Sequence, residues 1–246
     1  MRRLILSDIH ANLDALEAVL NDAAGNWDEA VCCGDIVGYG ASPVEAIEWT
    51  RRYADCLVRG NHDKACAGLL EMGDFNQAAR ASVLWTRAQL SAADMDWLKG
   101  LPAGPAFRAD YQVVHGTPAD EDEYAITAAE VEPIESHLLR TVCFAGHSHV
   151  QGGWSWQRGG LIPLSRPGFS ESERVIDLDP DYLYLINPGS VGQPRDRDPR
   201  AAYAIWDTEN RLLHFRRVRY DFRLAQGRIL EAGLPEILAE RLATGR

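Results

Sequence analysis

The chain has 246 residues, with 25 lysines and arginines against 36 aspartates and glutamates, a formal net charge of −11. That length can bury a sizeable core, and 46% hydrophobic with 25% charged residues is a globular balance, not a disordered or fibrous one. No apolar run approaches the roughly 20 residues of a membrane span, and the acidic balance speaks against a nucleic-acid polymer as partner.

The opening residues Met1–His10 meet Asp8 and His10 too early for a secretion signal. Arg3–Ser7 reads instead as a short buried strand, and a cytoplasmic location is expected. It leads into Asn12–Ala24, where Leu13, Leu16, Val19, Leu20 and Ala23 recur at helical spacing behind Asn12 as N-cap. Ala30–Cys33 is a second strand. Ser42, Pro43 and Glu45 then give an N-cap, a first-turn proline and a capping-box acid, so a helix begins there. Cys56–Arg59 is a third strand. The stretch from Lys64 to Gly104 is too long for a bare loop and reads as a helical insertion, with helices over Gln77–Leu90 and from Ser91 to near Gly100.

Gln112–His115 and Thr141–Ala145 continue the strand pattern, with a helix opening at Thr127 between them. After His149 glycine and proline become frequent. Leu183–Ile186, Ala202–Trp206 and Leu212–Val218 suggest a second, antiparallel sheet. Phe222–Leu242 reads as helices broken near Gly233 and Pro235. The residues by themselves therefore give an α/β part followed by a β-rich part, in one domain over 1–246. The five cysteines follow no disulfide or zinc spacing; Cys32, Cys33, Cys56 and Cys143 lie in apolar runs, where a reduced thiol acts as a small hydrophobe.

Polar clusters follow the apolar strands in order: Asp8-Ile-His10, Gly34-Asp35-Ile-Val-Gly38, Gly60-Asn61-His62-Asp63, His115-Gly116 and Gly146-His147-Ser-His149. In α/β sheets the carboxyl ends of strands open onto a shared crevice, so separated clusters can converge on one site. Carboxylate, imidazole and amide oxygen together suit borderline divalent cations, and seven candidate ligands are too many for one tetrahedral ion. In Asp8-x-His10 and His147-x-His149, two side chains can leave one extended segment in the same direction.

These five elements, in this order, resemble the calcineurin-like metallophosphoesterase superfamily, and Asn187–Arg195 resembles its small bacterial branch of predicted phosphodiesterases. The resemblance implies a four-layer α/β/β/α sandwich, two facing mixed sheets flanked by helices. It implies that Asp8, His10, Asp35 and His149 hold one metal ion and Asp35, Asn61, His115 and His147 a second, with Asp35 shared. Mn²⁺ leads as the ion, with Fe, Zn²⁺, Ni²⁺ or Mg²⁺ as alternatives. Cations about 3.5–4 Å apart can trap a hydroxide at neutral pH and steady attacking and leaving oxygens. His62 is implied as general acid rather than ligand, with Asp63 accepting its other ring proton.

The implied activity is hydrolysis of a small phosphodiester. The alternatives are a phosphomonoesterase acting on phosphoprotein or nucleotide, and a metal-binding scaffold without catalysis. Asn61 and Arg195 are candidate substrate contacts; a surface Arg195 paired with Asp196 or Asp198 is an equal reading. Ser190 and Gly192 suggest either a phosphate-cradling loop or a plain turn. Trp154 and Trp156 read as sheet-face packing, and the six arginines of Arg211–Arg228 as solvated faces.

Overall fold

A computed structural model describes all 246 residues and arranges its strands in two six-stranded sheets. The first runs β3 (Ala54–Leu57), β2 (Glu29–Cys32), β1 (Arg2–Leu6), β11 (Ala201–Asp207), β12 (Leu212–Val218), β9 (Glu173–Asp177). The second runs β4 (Ala106–Phe107), β5 (Tyr111–Val113), β6 (Val142–Phe144), β10 (Leu183–Asn187), β7 (Gly152–Gln157), β8 (Gly160–Pro163). Both are mixed. β1 pairs in parallel with β2, Leu6 opposite Cys32, and antiparallel with β11, Ile5 opposite Ala204. β10 is parallel to β6 and antiparallel to β7.

This corrects the reading of a separate antiparallel sheet after His149. The late strands do not assemble on their own; β11 and β12 complete the first sheet and β10 completes the second. Burial gives the reason. Every residue of β11 is buried, so it must sit inside a sheet with cover on both faces, and β1 supplies the open edge it needs.

The layers follow from the two-residue period of the strands. On β1, Leu4 and Leu6 pack with Leu16 and Val19 of α1 (Leu13–Ala23) and Ile47 of α2 (Pro43–Tyr53), while Ile5 points the other way, into the space between the sheets. There it meets Val31, Phe144, Tyr184 and Phe215. The outer face of the second sheet packs Cys143, Trp156 and Leu185 against Val131 and Ile134 of a short helical segment that opens with α6 (Ala128–Val131). Trp154 joins the same face, so the sheet-packing reading of both tryptophans holds. The insertion is α3 (Asn61–Ala67) followed by α4 (Gln77–Gln89) and α5 (Ala92–Lys99), both packed on α3. The chain closes with α7 (Phe222–Glu231) and α8 (Glu236–Glu240). No helix is long and apolar enough to cross a membrane.

Local signals mostly set the helix starts. Asn12 accepts from the Ala15 amide, and Ser91 and Asp94 form a reciprocal capping box. Ser42 does not cap α2; Pro43 begins that helix without it. Strand ends shift by one or two residues; the third strand runs Ala54–Leu57 and not Cys56–Arg59, which frees Val58–Gly60 to carry the chain toward the site. All five cysteines are free and buried. Arg217 departs from the solvated-face reading: it is buried and paired with an equally buried Asp196, while Gln151 Oε1 accepts from its Nε.

Phe144 lies between Tyr111 and Trp206, with ring centroids 5.8 and 5.6 Å away in edge-on arrangements. Phe144→Ala is therefore expected to cost about 3–5 kcal/mol in urea unfolding, whereas Leu139→Ala, at 65% exposure, should stay within about 0.5 kcal/mol of wild type. Equal midpoints for the two would show that the inter-sheet core is not as packed.

Candidate metal centre

Each cluster sits just beyond a strand end. Asp8 and His10 follow β1, Asp35 follows β2, Asn61 and His62 follow β3, His115 follows β5, and His147 and His149 follow β6. Their backbones are laced together: the amides of Asp8 and His10 donate to the carbonyls of Gly34 and Asp35, each at 3.0 Å, and the Gly146 amide donates to His115 at 2.8 Å. The cost is unusual backbone. Asp8, His10, Ala11, Asp35, Tyr39, His147 and His149 all have positive φ, between 48° and 65°, where L-residues with side chains are rarely found. Strain of this kind runs to roughly 1–3 kcal/mol per residue and gathers where a site over-determines its backbone. Gly60 is needed for a different reason: a Cβ there would overlap the Asp35 carboxylate.

The seven expected ligands converge. Asp8, His10, Asp35 and His149 offer donor atoms all within 4.8 Å of one another, as do Asp35, His115 and His147. Asn61 Oδ1 lies 3.3 Å from His115 Nε2. Asp35 belongs to both groups. Its Oδ1 accepts the His62 amide at 2.8 Å, and its Oδ2 stands 3.4 Å from His10 Nε2 and 3.5 Å from His115 Nε2.

Hydrogen-bond chemistry says which ring atoms are free to bind. The Nδ1 atoms of His10, His115 and His149 face the carbonyls of Val37, Cys33 and Gln193 at 3.0, 2.8 and 2.6 Å. A carbonyl can only accept, so each Nδ1 carries a proton and each Nε2 is the ring nitrogen turned inward, holding a lone pair on the neutral rings of His10 and His149. His147 is reversed: its Nε2 donates to the Asp122 carbonyl at 3.0 Å, leaving Nδ1 as the donor atom. His10 Nε2 and His149 Nε2 stand 3.2 Å apart, two lone pairs facing each other, and the buried Asp8 Oδ2 has no partner. Such a cluster is repulsive unless a cation lies within it, so these residues fit divalent metal ions.

Charge tells the same story. Burial pushes the Asp8 carboxyl up to about 7. Burial also opposes ionisation of Asp35, but the imidazoles of His115, His10 and His62 outweigh it and hold that carboxyl well below its usual range. Burial disfavours charge on His115 too, yet Asp35 and Asp8 lift its imidazole to about 9. Desolvation drives His10 and His149 well down and His147 to about 3, which keeps them as neutral ligands.

His62 is placed beside the cluster rather than in it. Its ring packs against His10, Tyr39 and Phe75, with centroids 4.9, 4.2 and 4.9 Å away. Its Nδ1 is buried against Gly38 without a partner, and the ring lines a cavity of about 400 Å³ together with Asp35, Asn61, His147 and His149. Asp63 does not accept the His62 ring proton, contrary to expectation. Its Oδ1 takes the Ile36 and Val37 amides at 2.9 and 3.1 Å and its Oδ2 the Gly60 amide at 2.9 Å. Asp63 therefore holds the loop that carries Asp35 against the start of α3, although burial pushes its carboxyl up to about 7. Nothing replaces it beside His62, whose imidazole burial pulls down to about 4.

Arg195 lines the cavity and pairs with neither Asp196 nor Asp198, which are taken by Arg166 and Arg217 and by Arg200. Ser190 and Gly192 do not cradle a ligand; the Ser190 hydroxyl and the Gly192 amide both donate to the Asp8 carbonyl, at 2.8 and 3.0 Å. Residues that the motifs did not mark also contribute. Tyr124 stacks on His147 with centroids 3.9 Å apart. Lys64 Nζ lies 3.1 Å from Glu121 and also bonds Asp122, which secures the loop whose carbonyl orients His147. Tyr39 and Arg241 complete the cavity wall. Tyr39 follows the Gly34–Gly38 cluster and could have been suspected; Arg241 carries no signal in the sequence.

Two facing mixed sheets with carboxylates and imidazoles at their strand ends are the build of a metallophosphoesterase. The family model of the calcineurin-like phosphoesterase superfamily domain matches residues 1–211, and the chain belongs to that family of phosphoric ester hydrolases. It is 36% identical to an uncharacterized protein of Methanocaldococcus jannaschii over 98% of this chain and 97% of the other. A metallophosphoesterase from Sphaerobacter thermophilus superposes with a TM-score of 0.88 at 41% identity, covering 100% of this chain and 99% of that one. A hypothetical protein from Pyrococcus horikoshii has the same fold, with a TM-score of 0.75 at 19% identity and coverage of 100% and 98%.

Elemental analysis after dialysis against Mn²⁺ is expected to give about two ions per chain. Chelation should then lower the melting temperature, since a ligand bound only by the folded state at about 100 times its Kd contributes about 2.7 kcal/mol. Asp35→Asn keeps an acceptor for the His62 amide but removes the shared charge, so it should lose bound metal with the fold retained. Full metal content in that variant would show that the two groups do not depend on Asp35.

Proposed function

We propose that this protein hydrolyses small phosphodiesters, with one divalent cation held by Asp8, His10, Asp35 and His149 and another by Asp35, Asn61, His115 and His147. The observation that carries this reading is the position of Asp35 Oδ2, between imidazole nitrogens of both groups, in the wall of the cavity. Bound there, the cations would supply positive charge against the phosphate oxygens and water acidified to near neutrality. The N and O donor set suits Mn²⁺ first, and Fe, Zn²⁺, Ni²⁺ or Mg²⁺ next.

The remaining roles belong to the chain. Arg195, without a carboxylate partner, is the guanidinium that would donate to a phosphoryl oxygen, and Asn61 lines the same cavity. His62 is the group placed to protonate the departing ester oxygen: its ring lines the cavity outside both groups of candidate ligands, and its Nδ1 has no hydrogen-bond partner. An anionic diester brings to it the negative charge that favours the imidazolium. Phe75 and Asn76 wall the cavity on the side of α4, and Tyr124 walls it on the side of His147. Both ester arms of a phosphodiester would thus find a surface, and about 400 Å³ is room for a small molecule.

Hydrolysis of bis-p-nitrophenyl phosphate with Mn²⁺ tests the reading. His62→Asn is expected to lower kcat by about 10²–10⁴ while leaving metal content unchanged. Faster turnover of p-nitrophenyl phosphate than of the diester would replace the diesterase with a monoesterase. No turnover of either, with His62→Asn indistinguishable from wild type, would leave a metal-binding scaffold.

A further inference from the structure

Most half-buried or buried arginines of this fold are neutralised by carboxylates: Arg59 by Glu121 at 2.9 Å, Arg200 by Asp198 at 2.6 Å, Arg216 by Asp22 at 2.8 Å, and Arg217 by Asp196. Two in the cavity wall are not. Arg195 and Arg241 have no carboxylate within salt-bridge distance, and both turn toward one neutral acceptor, Gln193 Oε1, at 3.1 and 3.5 Å. Arg195 also donates to the Tyr39 hydroxyl at 3.3 Å, and its Nε is buried with no acceptor at all. Two cations side by side in a half-buried wall are mutually repulsive, and a neutral amide oxygen relieves little of it. Burial and the Arg195 charge accordingly pull the Arg241 guanidinium below its usual value.

The arrangement is held firmly. Leu238 and Leu242, on either side of Arg241, are buried in one cluster with Tyr39 and Ala79. The Gly245 carbonyl accepts the Arg197 amide at 2.8 Å, which ties the chain end to the segment bearing Arg195. The two arginines also have different neighbours. The Arg195 amide donates to the His149 carbonyl at 3.1 Å, and its charge acts on His149 and His62. The charge of Arg241 reaches Tyr39 and Arg195. Arg195 is therefore the arginine tied to the cluster through His149, and Arg241 borders it through Gln193.

We infer that Arg195, Gln193 and Arg241 form an anion subsite that takes a second negatively charged group of the substrate, a phosphate or carboxylate that is not itself hydrolysed. This rests on the reading of the neighbouring cluster as the place where the scissile phosphate binds. The substrate class is then a phosphoester carrying a further anionic group a few bonds from the reacting phosphorus. Asp74, also in the cavity wall, forms no ion pair with either arginine, and Asp122 is engaged by Lys64.

Calorimetric titration of the Mn²⁺-supplemented full chain with glycerol 3-phosphate, 3-phosphoglycerate and 2,3-bisphosphoglycerate tests the inference without requiring turnover. Wild type is expected to bind at least one of the last two about tenfold or more tightly than the first, as a charge-assisted bidentate contact allows. Arg241→Gln should reduce that advantage to about threefold or less at an unchanged melting temperature, and Arg241→Lys should restore part of it. Arg228→Gln, which removes an exposed cation paired with Asp14, should keep the full advantage. Equal affinities in wild type, or an advantage that survives Arg241→Gln, would overturn the subsite. An intact affinity ladder without hydrolysis of bis-p-nitrophenyl phosphate would support the subsite and remove the diesterase; hydrolysis without the ladder would remove the subsite alone.

Discussion

One buried carboxylate organises the centre of this molecule. Asp35 lies where donor groups from four strand ends meet, with one oxygen fixed by the His62 amide and the other between His10 and His115. Burying that charge would be prohibitive without compensation. The surrounding imidazoles supply part of it, and the lone pairs they turn inward leave the rest to cations. The same negative charge that lifts His115 to about 9 in the free site is what a divalent ion would satisfy.

Around that carboxylate the fold accepts local strain and offsets it with a dense backbone lattice. Positive φ at Asp8, His10, Asp35, His147 and His149 accompanies the turn of each side chain beyond its strand end into the common cluster. The lattice includes the donors to the Asp8 carbonyl from Ser190 and Gly192, so the loop after β10 serves as a brace for a ligand. Asp63 has a similar part, tying the Asp35 loop to α3 through three amides. Polar residues that resemble catalytic or phosphate-binding groups in the sequence thus turn out to hold others in place.

The cavity above the centre is asymmetric in charge. One part is the cluster of carboxylates and imidazoles that fits cations, whereas Arg195 and Arg241 form a cationic edge without carboxylate partners. Unmatched charge next to a phosphoesterase centre is a specificity element by its physics: it favours anions and rejects neutral arms. The edge joins a residue in the loop after β10 to one at the end of α8.

Much of this was legible in the chain. The seven candidate positions could be read because metal chemistry demands particular donor types and because each stands shortly after an apolar strand, a short-range relation that sequence preserves; the structure brings them together. The same holds for the caps of α1 and α5, fixed by contacts within three residues. Strand partnership was not legible: β11 joins β1 across nearly the whole chain, and nothing local distinguishes that edge from one within a separate sheet. Nor were the partners of Asp63, Arg195 and Arg217, since each side chain chooses among donors and acceptors brought close only by folding. Local chemistry is written in order along the chain, and the sequence alone determined which carboxylates, imidazoles and amide follow the strand ends; proximity between distant segments is decided by packing, and only the tertiary structure could place Arg241 beside Arg195.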